Sequence, residues 1–240
     1  MLSTPSRLRT FALATALLHA SAFFLAGAFA AGSGPDRPVD LELVLAVDVS
    51  SSVSTDEFEL QMRGLADAFR DPEVVQAIHA SGDLGIAVAL IQWSDNRRQF
   101  LGVDWTVVRD AESAEAFSEE IAGTPRLVVG GGTAIGGALL YGMRQFDNNG
   151  FVGRRKVIDV SGDGRTNQGR PDGPLRDAAV ARGITINGLA ILNEEPTLDR
   201  YYIANVIGGT GAFVMTANDF RAYALAILAK LIREIAGAPV

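Results

Sequence analysis

The 240-residue chain contains no cysteine. Disulfides, a thiol nucleophile, a cysteine-ligated zinc site and a lipid-modified N-terminal cysteine are therefore excluded. Histidine is scarce too, with only His19 and His79 in the chain. That leaves almost nothing for a serine–histidine triad or a His-rich zinc site. His79 falls at the end of a helical stretch beside Ser81 and Gly82, where a structural role is expected. Lysine occurs only at 156 and 230, so the basic charge is nearly all arginine. Neither G-x-G-x-x-G nor G-x-x-x-x-G-K-[ST] is present, which removes the usual nucleotide-cradling loops. Positive charge is outnumbered, with a formal net charge of -7. An acidic surface repels phosphate backbones and anionic lipid, so no nucleic-acid partner is expected.

What the chain does have begins with an export pattern. Arg7 and Arg9 precede an uncharged apolar stretch from Phe11 to Phe29, which ends in Ala28-Phe29-Ala30. A basic start, an apolar middle and an A-x-A ending predict a signal peptide over 1–30, cleaved after Ala30. The competing reading is an uncut anchor, because the stretch approaches the roughly 20 residues that span a bilayer. No other segment is long enough to cross a membrane. Removing residues 1–30 takes away two arginines and no acids, so the net charge moves from -7 to -9. The expected setting is periplasmic or secreted, with 31–39 as a short leader and 40–237 as one domain.

Along that domain, apolar runs alternate with amphipathic stretches. Leu41 to Val47 is a short run with β-branched members and no breaker, which reads as a buried strand. Ser54-Thr55-Asp56-Glu57 is a capping box, after which Phe58, Met62, Leu65 and Phe69 repeat at helical spacing to about Arg70. Gly85 to Trp93 and the more polar Gln99 to Val108 predict two further strands, the second at an edge. Ala111 to Ala122 has helical composition, and Gly130-Gly131-Gly132-Thr133 opens a helix carrying Ile135, Leu139, Met143 and Phe146. Lys156 to Val160 reads as a strand ending in Ser161-Gly162-Asp163-Gly164. A helix near Leu175 to Arg182, a strand from Ile184 to Leu192, a helix near Leu198 to Val206 and a short strand from Ala212 to Met215 follow. Asn218 is the expected cap of a last helix to about Ile235, with Leu225, Leu228, Leu231, Ile232 and Ile235 on its buried side. Continuous apolar strands alternating with helices predict a doubly wound α/β fold: a mostly parallel sheet, helices on both faces and one antiparallel edge strand.

The chemistry concentrates at strand ends. Asp48-Val49-Ser50-Ser51-Ser52 stands where the first apolar run stops. Ser50 and Ser52 lie two and four residues past Asp48, so in a nearly extended turn all three side chains lean to one side. Thr133 follows three glycines that let the backbone approach a bound group closely. In an open parallel sheet, ligands bind at the carboxyl ends of the strands where their order reverses. If the first strand and the Lys156 strand are central neighbours, Asp48 and Asp163 meet there. Hard oxygen ligands of this kind suit a magnesium-class ion, and with only two charged donors the ion stays electrophilic. Taken singly, the serines read equally as caps of the first helix, Thr133 as a cap of the next, and Asp163 as part of a turn.

In this pattern the chain resembles the von Willebrand factor type A family. The adhesion site of that family has D-x-S-x-S, then a Thr after a glycine-rich loop, then an Asp before Gly; Asp48, Ser50, Ser52, Thr133 and Asp163 match one for one. Ile91-Gln92-Trp93-Ser94-Asp95 is similar to the second-strand ending of the family, as is Gly131-Gly132-Thr133 followed by Gly137-Ala138-Leu139. The likeness runs from about Asp40 to Ile235. It implies a Rossmann-like fold, a metal-ion-dependent adhesion site holding Mg²⁺, with Mn²⁺ or Ca²⁺ as substitutes, and a protein partner offering an Asp or Glu as the sixth ligand. One departure stands out: the family usually has Thr directly before the last Asp, and here Gly162 stands there with Ser161 one earlier. The outline is that of small exported bacterial proteins made of this domain alone.

The leading expectation is thus a non-enzymatic binding module, with Arg165 and Arg170 on the loop after Asp163 helping to attract the acid. A magnesium phosphatase resembling the haloacid-dehalogenase group is the rival, since Asp48, Ser94, Lys156 and Gly162-Asp163-Gly164 follow its order. Ser50, however, replaces the proton-transferring acid of its D-x-D motif, and a hydroxyl is a poor general acid or base near pH 7. A metal-free structural domain is the third reading.

Overall fold

The computed structural model describes Met1 and residues 36–237. The expected signal peptide and nearly all of the leader lie outside the described residues. The chain runs β1 (Arg37–Asp48), α1 (Thr55–Arg70), α2 (Pro72–Ser81), β2 (Ile86–Trp93), β3 (Gln99–Val108), α3 (Ala111–Gly123) and α4 (Ile135–Gln145). It continues through β4 (Phe151–Gly162), α5 (Asp172–Ala181), β5 (Ile184–Ile191), α6 (Leu198–Asn205), β6 (Val214–Ala217) and α7 (Tyr223–Ala236). β1 takes in Arg37 to Val39 of the stretch read as leader, because those residues pair with Phe151 to Gly153.

The six strands form one sheet in the order β3-β2-β1-β4-β5-β6. β1 pairs in parallel with both β2 and β4, whereas β3 pairs antiparallel with β2 at one edge. The α/β fold class is therefore as expected. Side-chain alternation along β1 splits the core in two. Leu41, Leu43, Leu45 and Val47 face α1, α2, α3 and α7. Val44 and Ala46 face α4, α5 and α6 on the other side. Between β1 and β4 the winding reverses, which places a crevice at their carboxyl ends.

α1 starts as its sequence dictates: the Ser54 side chain accepts from the Glu57 amide, and Glu57 accepts from the Ser54 amide. The start of α7 differs from expectation. Asn218 does not cap it; the helix begins at Tyr223, and Asp219 Oδ1 accepts from the amides of Arg221 and Ala222 ahead of it. Of the residues expected on its buried side, Leu231 and Ile235 are buried and Leu228 and Ile232 pack partly buried against the core, so the expectation fails at one position. Leu225 is 76% exposed, while Lys230 and Glu234 are buried beside Tyr223, Ile227, Leu231 and Ile235.

Asp159 on β4 is the partner of the buried lysine. Its carboxylate points to the α7 side of the sheet and pairs with Lys230 Nζ at 2.6 Å. Lys230 also reaches Glu234 Oε1 at 3.3 Å, and Asn187 Nδ2 donates to the same oxygen at 2.6 Å. Burial pushes the Glu234 carboxyl up and Lys230 opposes it. A charged pair thus occupies the face that hydrophobic periodicity alone assigns to leucine. Lys230→Met leaves two acids buried without their cation and is expected to cost about 3–5 kcal/mol. Leu225→Gln, at an exposed position, is expected to stay within about 0.5 kcal/mol. Urea unfolding of the two variants checks the assignment; the reverse ranking contradicts it.

Candidate metal centre

Asp48 is the last residue of β1 and lies in register with Trp93 of β2. Beyond it the chain turns sharply: the Ser50 amide donates to Asp48 Oδ1 at 2.8 Å, an Asx-type turn, and the Val53 amide donates to the Ser50 carbonyl at 3.2 Å. The turn presents its hydroxyls in a row. Ser50 Oγ and Ser52 Oγ are 3.2 Å apart, and Ser52 Oγ donates to Asp163 Oδ1 at 2.7 Å. Asp163 comes from the end of β4, so four of the five predicted residues form one connected chain across the crevice.

Thr133 arrives from the glycine-rich loop. Gly130 and Gly131 have φ of 72° and 105°, a left-handed backbone that favours glycine. At Gly131 a Cβ would also stand 2.5 Å from Ser94 Oγ. The loop is stitched down on both sides, with the Ser51 amide donating to the Gly131 carbonyl and the Ala134 amide to the Ser94 carbonyl. Asn167 Oδ1 accepts from the Thr133 amide at 2.9 Å. Thr133 Oγ1 lies 3.7 Å from the point where a Cβ on Gly164 would stand, so the hydroxyl borders the Asp163 turn. All five residues therefore line one crevice.

The crevice is electrostatically unbalanced. Asp48 and Asp163 are buried, and the Oδ2 atom of each has no hydrogen-bond partner. A buried acceptor left unmade costs about 1–3 kcal/mol, more when charged. Burial, and then the neighbouring charge of Asp163, pushes the Asp48 carboxyl from 3.8 up to about 7. Asp163 is also raised by burial, with the Ser52 hydroxyl pulling the other way. No three His, Cys, Asp or Glu side chains converge as a metal cluster among the described residues. Any cation here depends on hydroxyl oxygens as well as the two acids.

Several residues that shape the site carry no sequence signal of their own. Arg126 reaches back across the loop, and its Nη2 donates to the carbonyls of Val49, Ser50 and Val53 at 2.9, 3.1 and 2.8 Å. Its guanidinium also lies 5.7 Å from the Phe58 ring centroid. Gln61 Nε2 donates to the Asp48 carbonyl at 3.3 Å. Because these partners are main-chain oxygens, no side-chain pattern announces them. Gly162 did give a signal, as the departure from the resembling family, and three side chains crowd the place where its own would stand. A Cβ at 162 would stand 2.9 Å from Asp48 Oδ2, 3.0 Å from the Tyr202 hydroxyl and 3.3 Å from Trp93 Cζ2. A buried phenol on α6 thus brings an oxygen to the place beside Asp48 that a threonine hydroxyl would otherwise approach.

Other candidates lie elsewhere. Arg165 pairs with Glu195, donates to Thr197 Oγ1 and sits 5.3 Å from the Tyr201 ring centroid, so its charge is already engaged. Ser94 Oγ is committed to the Gly130 carbonyl at 2.8 Å. Lys156 lies towards the opposite end of β4, seven residues or roughly 20 Å from Asp163 at strand spacing, and pairs with Glu42 at 3.5 Å. The lysine that a phosphatase would need is not at the crevice.

The fold is shared with solved von Willebrand factor type A structures. Proximal thread matrix protein 1 from the mussel byssus superposes with a TM-score of 0.61 at 17% identity, covering 83% of this chain and 49% of that one. A second structure of that protein, described as having a zinc-occupied MIDAS motif, gives 0.57 at 19% identity, covering 83% and 48%. A von Willebrand factor type A structure from Catenulispora acidiphila gives 0.56 at 18%, covering 82% and 43%. The pilus adhesin SpaC from Lactobacillus rhamnosus GG gives 0.57 at 14%, covering 85% of this chain and 31% of the adhesin. The chain thus spans half or less of the length of these proteins. No curated protein matches the sequence. A family model described as a protein of unknown function, DUF1194, matches residues 38–239, and the chain, with its von Willebrand factor type A fold, belongs to that family.

Proposed function

We propose that this is an exported, divalent-cation-dependent protein-binding module. Asp48, Ser50, Ser52, Thr133 and Asp163 would hold the ion, Mg²⁺ first and Mn²⁺ or Ca²⁺ as substitutes. The observation that carries this reading is the pair of buried Oδ2 atoms, on Asp48 and Asp163, that have no hydrogen-bond partner among the described residues. The Oδ1 atoms of the same carboxylates are held by the Ser50 amide and the Ser52 hydroxyl, so the acids stand with hydroxyl oxygens of the kind hard cations favour. When bound, the cation supplies a Lewis-acidic position open to an outside carboxylate.

The chain's own residues do the rest. Arg126 fixes the three carbonyls of the serine turn and adds positive charge behind it, and Ser52 holds Asp163 in place. The surroundings suit a protein partner. Val129, 80% exposed, and Leu127 stand on the loop just before Gly130 and offer apolar contact beside the carboxylate position. Among the described residues no helix is long and apolar enough to cross a membrane. The likeness to matrix and adhesin structures supports the same reading without identifying the partner.

Two outcomes are expected. Asp48 has a folded pKa near 7 against 3.8 in the open chain, so its contribution to stability is present below about pH 4 and lost as pH rises through 7. A cation needs the ionised form, so binding releases a proton and strengthens with pH. In chelator, the melting temperature should fall between pH 5 and 8, and Mg²⁺ or Mn²⁺ should restore it, by more at pH 8 than at pH 5. Asp48→Asn should abolish the metal response; thermal melts in which that variant responds like the parent rule the site out. Secondly, Arg126→Met keeps much of the packing on Phe58 but frees the serine turn. It should weaken Mg²⁺ or Mn²⁺ binding about tenfold, the equivalent of one charge-assisted hydrogen bond, in titration calorimetry.

A further inference from the structure

At the amino-terminal ends of β4 and β5, the end of the sheet away from the candidate metal centre, lies a cavity of about 530 Å³. That size suits a small organic ligand. Its charge runs against the protein as a whole. In a chain of net charge -7, the cavity wall gathers Arg154, Arg155, Lys156 and Arg233, with Glu234 as its one acidic residue. Glu234 is itself turned inward, towards Lys230 and Asn187.

Two of these cations stand without an acid. Arg154 pairs with Asp40 and Lys156 with Glu42. Among the described residues Arg155 and Arg233 form no ion pair. Arg155 donates to the carbonyls of Glu234 and Ile235, and burial lowers its pKa against the opposing pull of Glu234 and Asp40. Arg233 Cζ lies 3.9 Å from the Phe213 ring centroid, a cation–π contact that restrains the guanidinium without using its hydrogen-bond donors. The facing wall is the turn Gly209-Thr210-Gly211, whose two glycines have φ of 96° and 72°. No main-chain acceptor among the described residues takes an amide from any of the three. Successive free amides on a left-handed turn form an anion-binding concavity.

We propose that this cavity is an oxyanion site, taking a small organic phosphate or polycarboxylate between the Arg155 and Arg233 guanidinium groups and the amides of Gly209 to Gly211. Arginine forks match both oxyanions, so the shared chemistry is the anionic head. The site is independent of the cation at the other end of the sheet. Asp163 lies eight residues beyond Arg155 along β4, roughly 25 Å at strand spacing.

Titration calorimetry of the chain in chelator, with pyrophosphate and citrate as separate probes, tests this. Binding of either probe at about one equivalent is expected, and which one binds tells phosphate from polycarboxylate. Arg233→Met, which keeps an apolar group on Phe213, should weaken it about tenfold. Asp48→Asn should bind the anion as the parent does, so failure of the metal reading leaves this one standing. The proposal is overturned if neither probe binds more tightly than about 1 mM, or if Arg233→Met binds as well as the parent.

Discussion

Two carboxylates at neighbouring strand ends, each keeping one buried oxygen unsatisfied, form the constraint around which this end of the molecule is arranged. Asp48 and Asp163 cannot both ionise cheaply in a crevice that excludes water. The chain responds by surrounding them with neutral donors. The Ser50 amide and the Ser52 hydroxyl each take one oxygen, and Arg126 puts its charge behind the turn at the level of the backbone. Net negative charge remains, in keeping with the proposed cation site.

The α7 side of the same strand resolves a similar problem in the opposite way. Asp159 is as deeply buried as Asp48, yet Lys230 reaches it directly and Asn187 completes the neighbouring Glu234. One acid on β4 is thus balanced from within the chain while its neighbour four residues on is left open. The contrast lies in the cation partner and not in burial or in unfilled acceptors, since all of these groups are buried and Asp159 Oδ2 lacks a hydrogen bond as Asp48 Oδ2 does.

Much of this could be read from the sequence, and what could not has a common cause. The strand and helix order, the edge position of β3 and the meeting of Asp48, Ser50, Ser52, Thr133 and Asp163 follow from local periodicity and from strand-end motifs. Such signals lie within a few residues of one another or obey the sheet's topology. Arg126 escaped because its partners are carbonyls, which every residue possesses. On α7 the hydrophobic pattern finds Leu228, Leu231, Ile232 and Ile235 but not the buried Lys230, because the partner that holds it inside, Asp159, lies on a distant strand. Tyr202 was invisible until the sheet placed α6 against Gly162.

That last contact ties two distant positions to one fate. Residue 162 has little room for a side chain, because Asp48 Oδ2 and the phenol of residue 202 stand 2.9 and 3.0 Å from where its Cβ would be. Restoring a threonine at 162 would require residue 202 to shrink in the same step, and a smaller residue at 202 would leave a void beside Asp48 for as long as 162 stays glycine. Homologous chains should therefore fall into two camps, glycine with tyrosine or hydroxyl with something small. Membership of either camp can be read from two letters of sequence.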